Sequence, residues 1–276
     1  MPGKNKLMHL PESSHVIYKR SPLIRVACQL RFPPILKISH QEPVDFQDEI
    51  RFKYPLFEAT RQPFSLEVQQ AIQQAIPQVG LPTLSEVCYS FNSEDRKWQI
   101  LVTKEFITLM SSAYERYELF NRRFREVVEI FERIYQPSFY TRVGLQYQNL
   151  IIRSQLGLKD KRWADLITNQ IASELYNPEL EPLLQSMQKT LLLKTDICQI
   201  TFNQGLVIVK ESEPDNSEPA YLLDADFYTE EKLERDENVW NVLSQFNKSA
   251  WKLFRWSITE TLHNALQPQV IDKTEE

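Results

Sequence analysis

The chain has 276 residues, a net charge of -5, three cysteines and only five glycines. Against a typical glycine share of about 7%, so few leave no GxGxxG or GxxxxGK(S/T) loop. The backbone positions in those loops need glycine to avoid strain, so nucleotide binding by either is not expected. The acidic balance gives no general attraction for nucleic acid, and Cys28, Cys88 and Cys198 are scattered without a CxxC pair, indicating neither a disulfide framework nor a thiolate zinc site.

Residues 1–21 carry no periodicity and no apolar core of signal-peptide length, and no stretch approaches the roughly 18 apolar residues of a membrane span. A flexible tail on a cytoplasmic protein with no membrane partner is the expectation. Ile24, Val26, Cys28, Leu30 and Phe32 then alternate with polar residues, predicting a strand that ends at Pro33 and Pro34. A short helix should follow Pro43, with Phe46 and Ile50 on one face and Pro55 beyond it. The segment from Phe64 to Pro77 mixes strand and helix spacing and stays open. Alternation at Val87, Tyr89 and Phe91 and again at Trp98, Ile100 and Val102 predicts a hairpin about Asn92–Arg96, with Phe106–Ser111 as a third antiparallel strand. Tyr117, Phe120, Phe124, Val127, Phe131 and Ile134 recur at three and four, a helix ended by Pro137.

The stretch Phe139–Arg153 is central. Val143, Leu145, Tyr147, Asn149 and Ile151 alternate with Arg142, Gly144, Gln146 and Gln148, predicting a strand with one apolar and one polar face. Helical spacing at Trp163, Leu166, Ile167, Ile171 and Leu175 follows, with a shorter helix after Pro178. Leu191–Phe202 and Leu206–Val209 read as a hairpin about Asn203, Gln204 and Gly205, and Tyr221–Tyr228 as the next strand. A long helix spans Asn238–Leu266. A meander followed by a long helix thus occurs at 84–135 and again at 191–266. The expected fold is α+β: antiparallel sheets in two meander-plus-long-helix halves, a pseudo-repeat, covered by amphipathic helices. Its parts are a tail at 1–21, an N-terminal half at 22–155, a C-terminal half at 156–267 and a tail at 268–276.

The segments PLIRVACQLRFPP (22–34), WQILVTKEFITLMSSAY (98–114), RVGLQYQN (142–149) and LDADF (223–227) together resemble a sporadically distributed, uncharacterised bacterial protein family whose central motif is R-x-G-L-R-Y-x-N. Arg142, Gly144, Leu145, Tyr147 and Asn149 match it, while Gln146 replaces the second Arg. The resemblance implies a stand-alone bacterial protein and supplies no catalytic residues.

Three constellations could carry chemistry. Asp224 and Asp226, two apart on a strand, point to one face, and with Asp196 on a neighbouring strand they are candidate ligands for Mg²⁺ or Mn²⁺, the alternative being solvated carboxylates on an exposed face. Arg122, Arg123 and Arg125, with Lys248 and Lys252 on the last helix, are candidate phosphate contacts for single-stranded nucleic acid, although Glu118 and Glu129 stand four before Arg122 and Arg133 as in ordinary solvated helix pairs. Trp240, Trp251 and Trp256 spread over more of the last helix than one buried stripe needs, which makes them candidate interface anchors. His9, His15, His40 and His263 form no metal-ligand spacing, and no cofactor is indicated. The leading expectation is a non-enzymatic protein-interaction or regulatory module that binds another protein or itself as a dimer. The alternatives are a metal-dependent enzyme at Asp224 and Asp226 and a nucleic-acid-binding accessory factor in a mobile or defence module.

Overall fold

The computed structural model describes residues 16–60, 87–210 and 217–270. Over these it is α+β, with six helices and eleven strands in antiparallel sheets. No helix among them is long and apolar enough to cross a membrane. The ambiguous segment Phe64–Pro77 lies outside the described residues.

The described residues fall into two compact units, each built from separate stretches of chain. The first, called here the motif unit, comprises Arg25–Tyr147 and Asp226–Phe246. It holds most of β2 (Leu23–Arg31), then α1 (Leu36–His40), α2 (Val44–Ile50), β3 (Leu56–Thr60), β4 (Cys88–Asn92), β5 (Trp98–Val102), β6 (Phe106–Ser111) and α3 (Tyr117–Tyr135). The start of β7 (Arg142–Ile152) and the end of β10 (Ser217–Thr229) complete its sheet, in the order β3-β4-β5-β6-β2-β7-β10. The two hairpins arise where the alternation predicts them: Phe91 faces Ile100 across β4 and β5, and Ile100 faces Leu109 across β5 and β6; β2 then pairs with β6, with Cys28 facing Leu109. Their apolar face joins the stripe of α3, with Phe32 5.1 Å from Phe131 and Trp98 5.9 Å from Phe120 between ring centres. Helix α3 stops because Gln136 turns to the left-handed region (φ 46°) and Pro137 follows.

The second, the edge unit, draws on Met1–Ile24, Gln148–Ala225 and Asn247–Glu276 over their described parts. It contains the end of β7, α4 (Arg153–Leu156), β8 (Met187–Lys194), β9 (Gln199–Lys210) and most of β10 (Ser217–Thr229), in the order β7-β10-β9-β8. Its other helices are the later part of α5 (Glu237–Ser257) and α6 (Glu260–Ala265). Val16–Tyr18 (β1) pairs with Pro268–Val270 (β11), so both segments read as tails carry strand.

Four expected elements differ here. The helix expected over Trp163–Leu175 is instead two short 3-10 turns, Trp163–Asp165 and Ser173–Tyr176, and the one after Pro178 shrinks to Glu181–Leu183. Tertiary bonds displace the helical ladder: Ile167 bridges Ile258, and the Thr168 amide donates to the Ser257 carbonyl at 3.0 Å. The long terminal helix breaks after Ser257, whose hydroxyl donates to the Leu253 carbonyl, and restarts with Thr259 as N-cap accepting from the Leu262 amide. The hairpin turn lies at Thr195–Cys198 instead of Asn203–Gly205. There the Thr195 hydroxyl oxygen accepts from the amides of Ile197 and Cys198, a side-chain-closed turn that competes with the Asn-Gln-Gly signal.

Within the edge unit, the Tyr18 hydroxyl lies 2.7 Å from Nδ1 of His263. Desolvation holds His263 below its ordinary value of 6.5, and the Arg255 charge adds to the shift. The unfolded chain therefore binds the proton more readily. The contribution is complete above about pH 6.5 and is lost as pH falls through that value toward the lower folded one. Urea midpoints compared at roughly pH 7.5 and 5 should fall on acidification, and His263→Gln should flatten the fall. Identical pH slopes for the two proteins would refute this.

Candidate functional site

The polar face of β7 is buried as completely as its apolar face: Arg142, Gln146 and Gln148 are all enclosed. Burial of a guanidinium is tolerable only when its charge and donors are met, and the motif unit meets them with one chain of hydrogen bonds. Arg142 Nη2 donates to Asp226 Oδ2 at 2.6 Å, Arg142 Nη1 donates to Gln29 Oε1 at 3.2 Å, and Gln29 Nε2 donates to Thr108 Oγ1 at 3.1 Å. Gln29 and Thr108 are direct register partners across β2 and β6, so strand pairing itself sets the last link. The guanidinium also lies 4.5 Å from the ring centre of Tyr228.

This hydrogen-bond chain takes one residue from each of the segments 22–34, 98–114, 142–149 and 223–227: Gln29, Thr108, Arg142 and Asp226. The glycine of the motif has a role in the same place. A Cβ on Gly144 would stand 2.5 Å from Arg142 Nη1, so the absence of a side chain lets the guanidinium lie back over the strand. Leu145 and Tyr147 project from the opposite face of β7, where the Tyr147 ring meets Tyr114 edge-on at 5.7 Å and their hydroxyls are 3.4 Å apart. Burial raises the Tyr147 hydroxyl well above its ordinary range. Asn149 sits half-buried in the edge unit.

Asp226 and Asp224 are buried, contrary to the exposed, solvated face considered above. Desolvation holds the Asp226 carboxyl above its ordinary value, with the Arg142 charge pulling the other way. A cation at Asp226 would have to displace a guanidinium. Asp196 is exposed in the β8–β9 turn and not on a strand beside β10. Among the described residues, no group of three or more His, Cys, Asp or Glu could hold a metal ion. Arg142 also lines a cleft of about 400 Å³ with Arg31, Phe32, Glu105 and Glu230, where Arg31 pairs with Glu105 at 3.5 Å.

The basic residues of α3 are set against the protein's own rings. Arg123 lies 4.2 Å from the Trp98 ring centre and Arg125 4.6 Å from Trp240, whereas Arg122 is exposed. Trp240 thus has a face occupied by Arg125. Lys248 and Lys252 belong to the edge unit, Lys248 exposed and Lys252 half-buried. Trp251 is tilted against Tyr18 at 5.7 Å, and Trp256 is half-buried.

Exposed apolar surface lies at residues the sequence reading passed over. In the edge unit Leu192 is 71% and Leu183 76% exposed, and Leu191 and Ile208 are also exposed. Leu191 and Leu192 are central in β8, which among the described residues pairs only with β9. The signal was the run Thr190-Leu191-Leu192-Leu193: three consecutive leucines occupy both faces of a strand, and an edge strand with one covered face cannot bury them all. No protein-family model matches the chain, and a search of the curated proteins finds no match.

Proposed function

We propose that this chain is a non-enzymatic, cytoplasmic protein-interaction module that binds through the outer edge of β8. The observation that carries the reading is that edge, an eight-residue strand with adjacent exposed leucines at its centre. Edge strands are ordinarily blunted by shortness, proline, bulges or free charges, because their unpaired main-chain groups template pairing with another strand. β8 is longer than the usual five or six residues and contains no proline. One of its two lysines, Lys189, is turned to Glu174 at 2.6 Å. Main-chain pairing along such an edge supplies affinity and the exposed leucines supply specificity.

The buried chain from Thr108 to Asp226 acts in this reading as scaffold: it fixes strand register and leaves recognition to the edge. Its origin in four motif segments supports placing the chain in the bacterial family it resembles. The successions β4-β5-β6-α3 and β8-β9-β10-α5 support a pseudo-repeat in which a long helix covers each meander. A photo-crosslinking residue at Leu192, in the producing cells, should give a nuclease-resistant protein adduct of defined mass, and the same probe at exposed Arg51 should not. Adducts that vanish with nuclease, or none at all, would overturn the reading.

A further inference from the structure

We infer that the occupant of the β8 edge is the β8 strand of a second copy of this chain, paired antiparallel with the twofold axis at Leu191. This rests on the reading of β8 as the binding edge. The Thr195 amide donates to the Cys198 carbonyl, which makes Thr195 and Cys198 a hydrogen-bonded pair of the β8–β9 ladder. Antiparallel ladders alternate, and the register runs Lys194 to Gln199, Leu193 to Ile200, Leu192 to Thr201. The main-chain groups of Leu193, Leu191, Lys189 and Met187 therefore face β9. Those of Lys194, Leu192, Thr190 and Gln188 face outward, and among the described residues none of these four has a backbone partner beyond β9.

Two such edges can bond only by setting outward residues opposite outward residues, which places the twofold axis on a residue. An axis at Leu191 sets Gln188 against Lys194 and Thr190 against Leu192, so all four outward positions of each copy are paired at once. An axis at Thr190 or Leu192 leaves an outward residue at one end without a counterpart in the other strand. The Leu191 register also keeps the lysines apart: Lys189 faces Leu193 and Lys194 faces Gln188, so no like charges stand opposite. Leu191 meets Leu191 of the second copy at a non-hydrogen-bonded position, where Cα atoms approach to about 4.5 Å. A twofold contact needs only one self-complementary surface, and this edge meets that requirement.

The test is sedimentation velocity on the full chain with two variants. Thr190→Pro removes an outward amide and leaves the β8–β9 bonds intact, a position at which a strand tolerates proline. Leu191→Cys places two thiols across the axis at a spacing that a disulfide can close. The expected results are a wild-type dimer, loss of that dimer in Thr190→Pro with an unchanged circular dichroism spectrum, and a covalent dimer from oxidised Leu191→Cys. A dimer indifferent to Thr190→Pro, with no cross-link at Leu191→Cys, would overturn the inference, since the copies would meet elsewhere. A monomer whose Leu192 probe captures a different protein would overturn it and leave the interaction reading standing. A monomer without adducts would overturn both.

Discussion

Replacing Asp226 with Asn is expected to destabilise the fold by about 3–5 kcal/mol, because it leaves the buried Arg142 guanidinium without its counter-charge. Arg142→Met should cost less. The two partners differ in their escape: a stranded carboxylate takes up a proton, and burial already raises Asp226 in that direction. An arginine cannot lose its charge in a protein. The double variant Arg142→Met with Asp226→Leu removes both charges, and apolar replacement of a whole buried pair is often close to neutral. It should therefore unfold at a higher urea concentration than Asp226→Asn alone. With Asp226→Leu alone closing the cycle, its effect and that of Arg142→Met should be non-additive by roughly 1–3 kcal/mol, as for residues in one network. Additive losses would mean that the pair contributes nothing as a pair.

Gly205→Ala is the second large expected effect. A Cβ at this position would stand 1.9 Å from the Met187 carbonyl oxygen and 2.8 Å from its carbon, both backbone atoms of the neighbouring strand. A flexible side chain could yield, but here the start of β8 must move. Overpacking of this kind costs about 1–3 kcal/mol and sometimes more, and contact with backbone puts Gly205 at the upper end. The loss should be accompanied by faster amide exchange at Met187–Lys189, since the damage falls on the β8–β9 pairing. A Gly205→Ala protein within about 0.5 kcal/mol of wild type, the range of an ordinary surface change, would show that β8 is free to shift at that end.

Gly205 also illustrates what the sequence conveyed and what it concealed. Read along the chain, Asn203-Gln204-Gly205 is turn chemistry, and only the fold reveals a mid-strand glycine required by the close approach of another backbone. The actual turn was visible as Thr195-Asp196, but the run of leucines before it blurred the end of the strand. Elements specified by their own alternation or helical stripe, such as β2, β5, β6, β7 and α3, were legible, because local pattern and tertiary packing agree there. Trp163, Leu166, Ile167, Ile171 and Leu175 have helical spacing yet fall on or between two short 3-10 turns, since bonds from Ile167 and Thr168 to Ile258 and Ser257 are invisible locally.

The candidate site was legible in its members and hidden in its connections. Arg142 and Gly144 stood out within a motif and Asp226 within a carboxylate pair, but nothing linear joins them to each other or to Gln29 and Thr108. Strand order makes that link by setting β6, β2, β7 and β10 side by side. Burial then turns a carboxylate read as a metal ligand or a solvated residue into the counter-ion of an arginine.

The central claim, that the β8 edge pairs with a second copy of the chain while the motif residues serve as scaffold, is tested most directly by hydrogen exchange across a protein concentration series. The amides of Gln188, Thr190, Leu192 and Lys194 should exchange rapidly in dilute solution and gain protection as concentration rises. The amide of Arg142 should stay protected throughout. Exchange at those four β8 amides that is equally fast at every concentration would contradict the account.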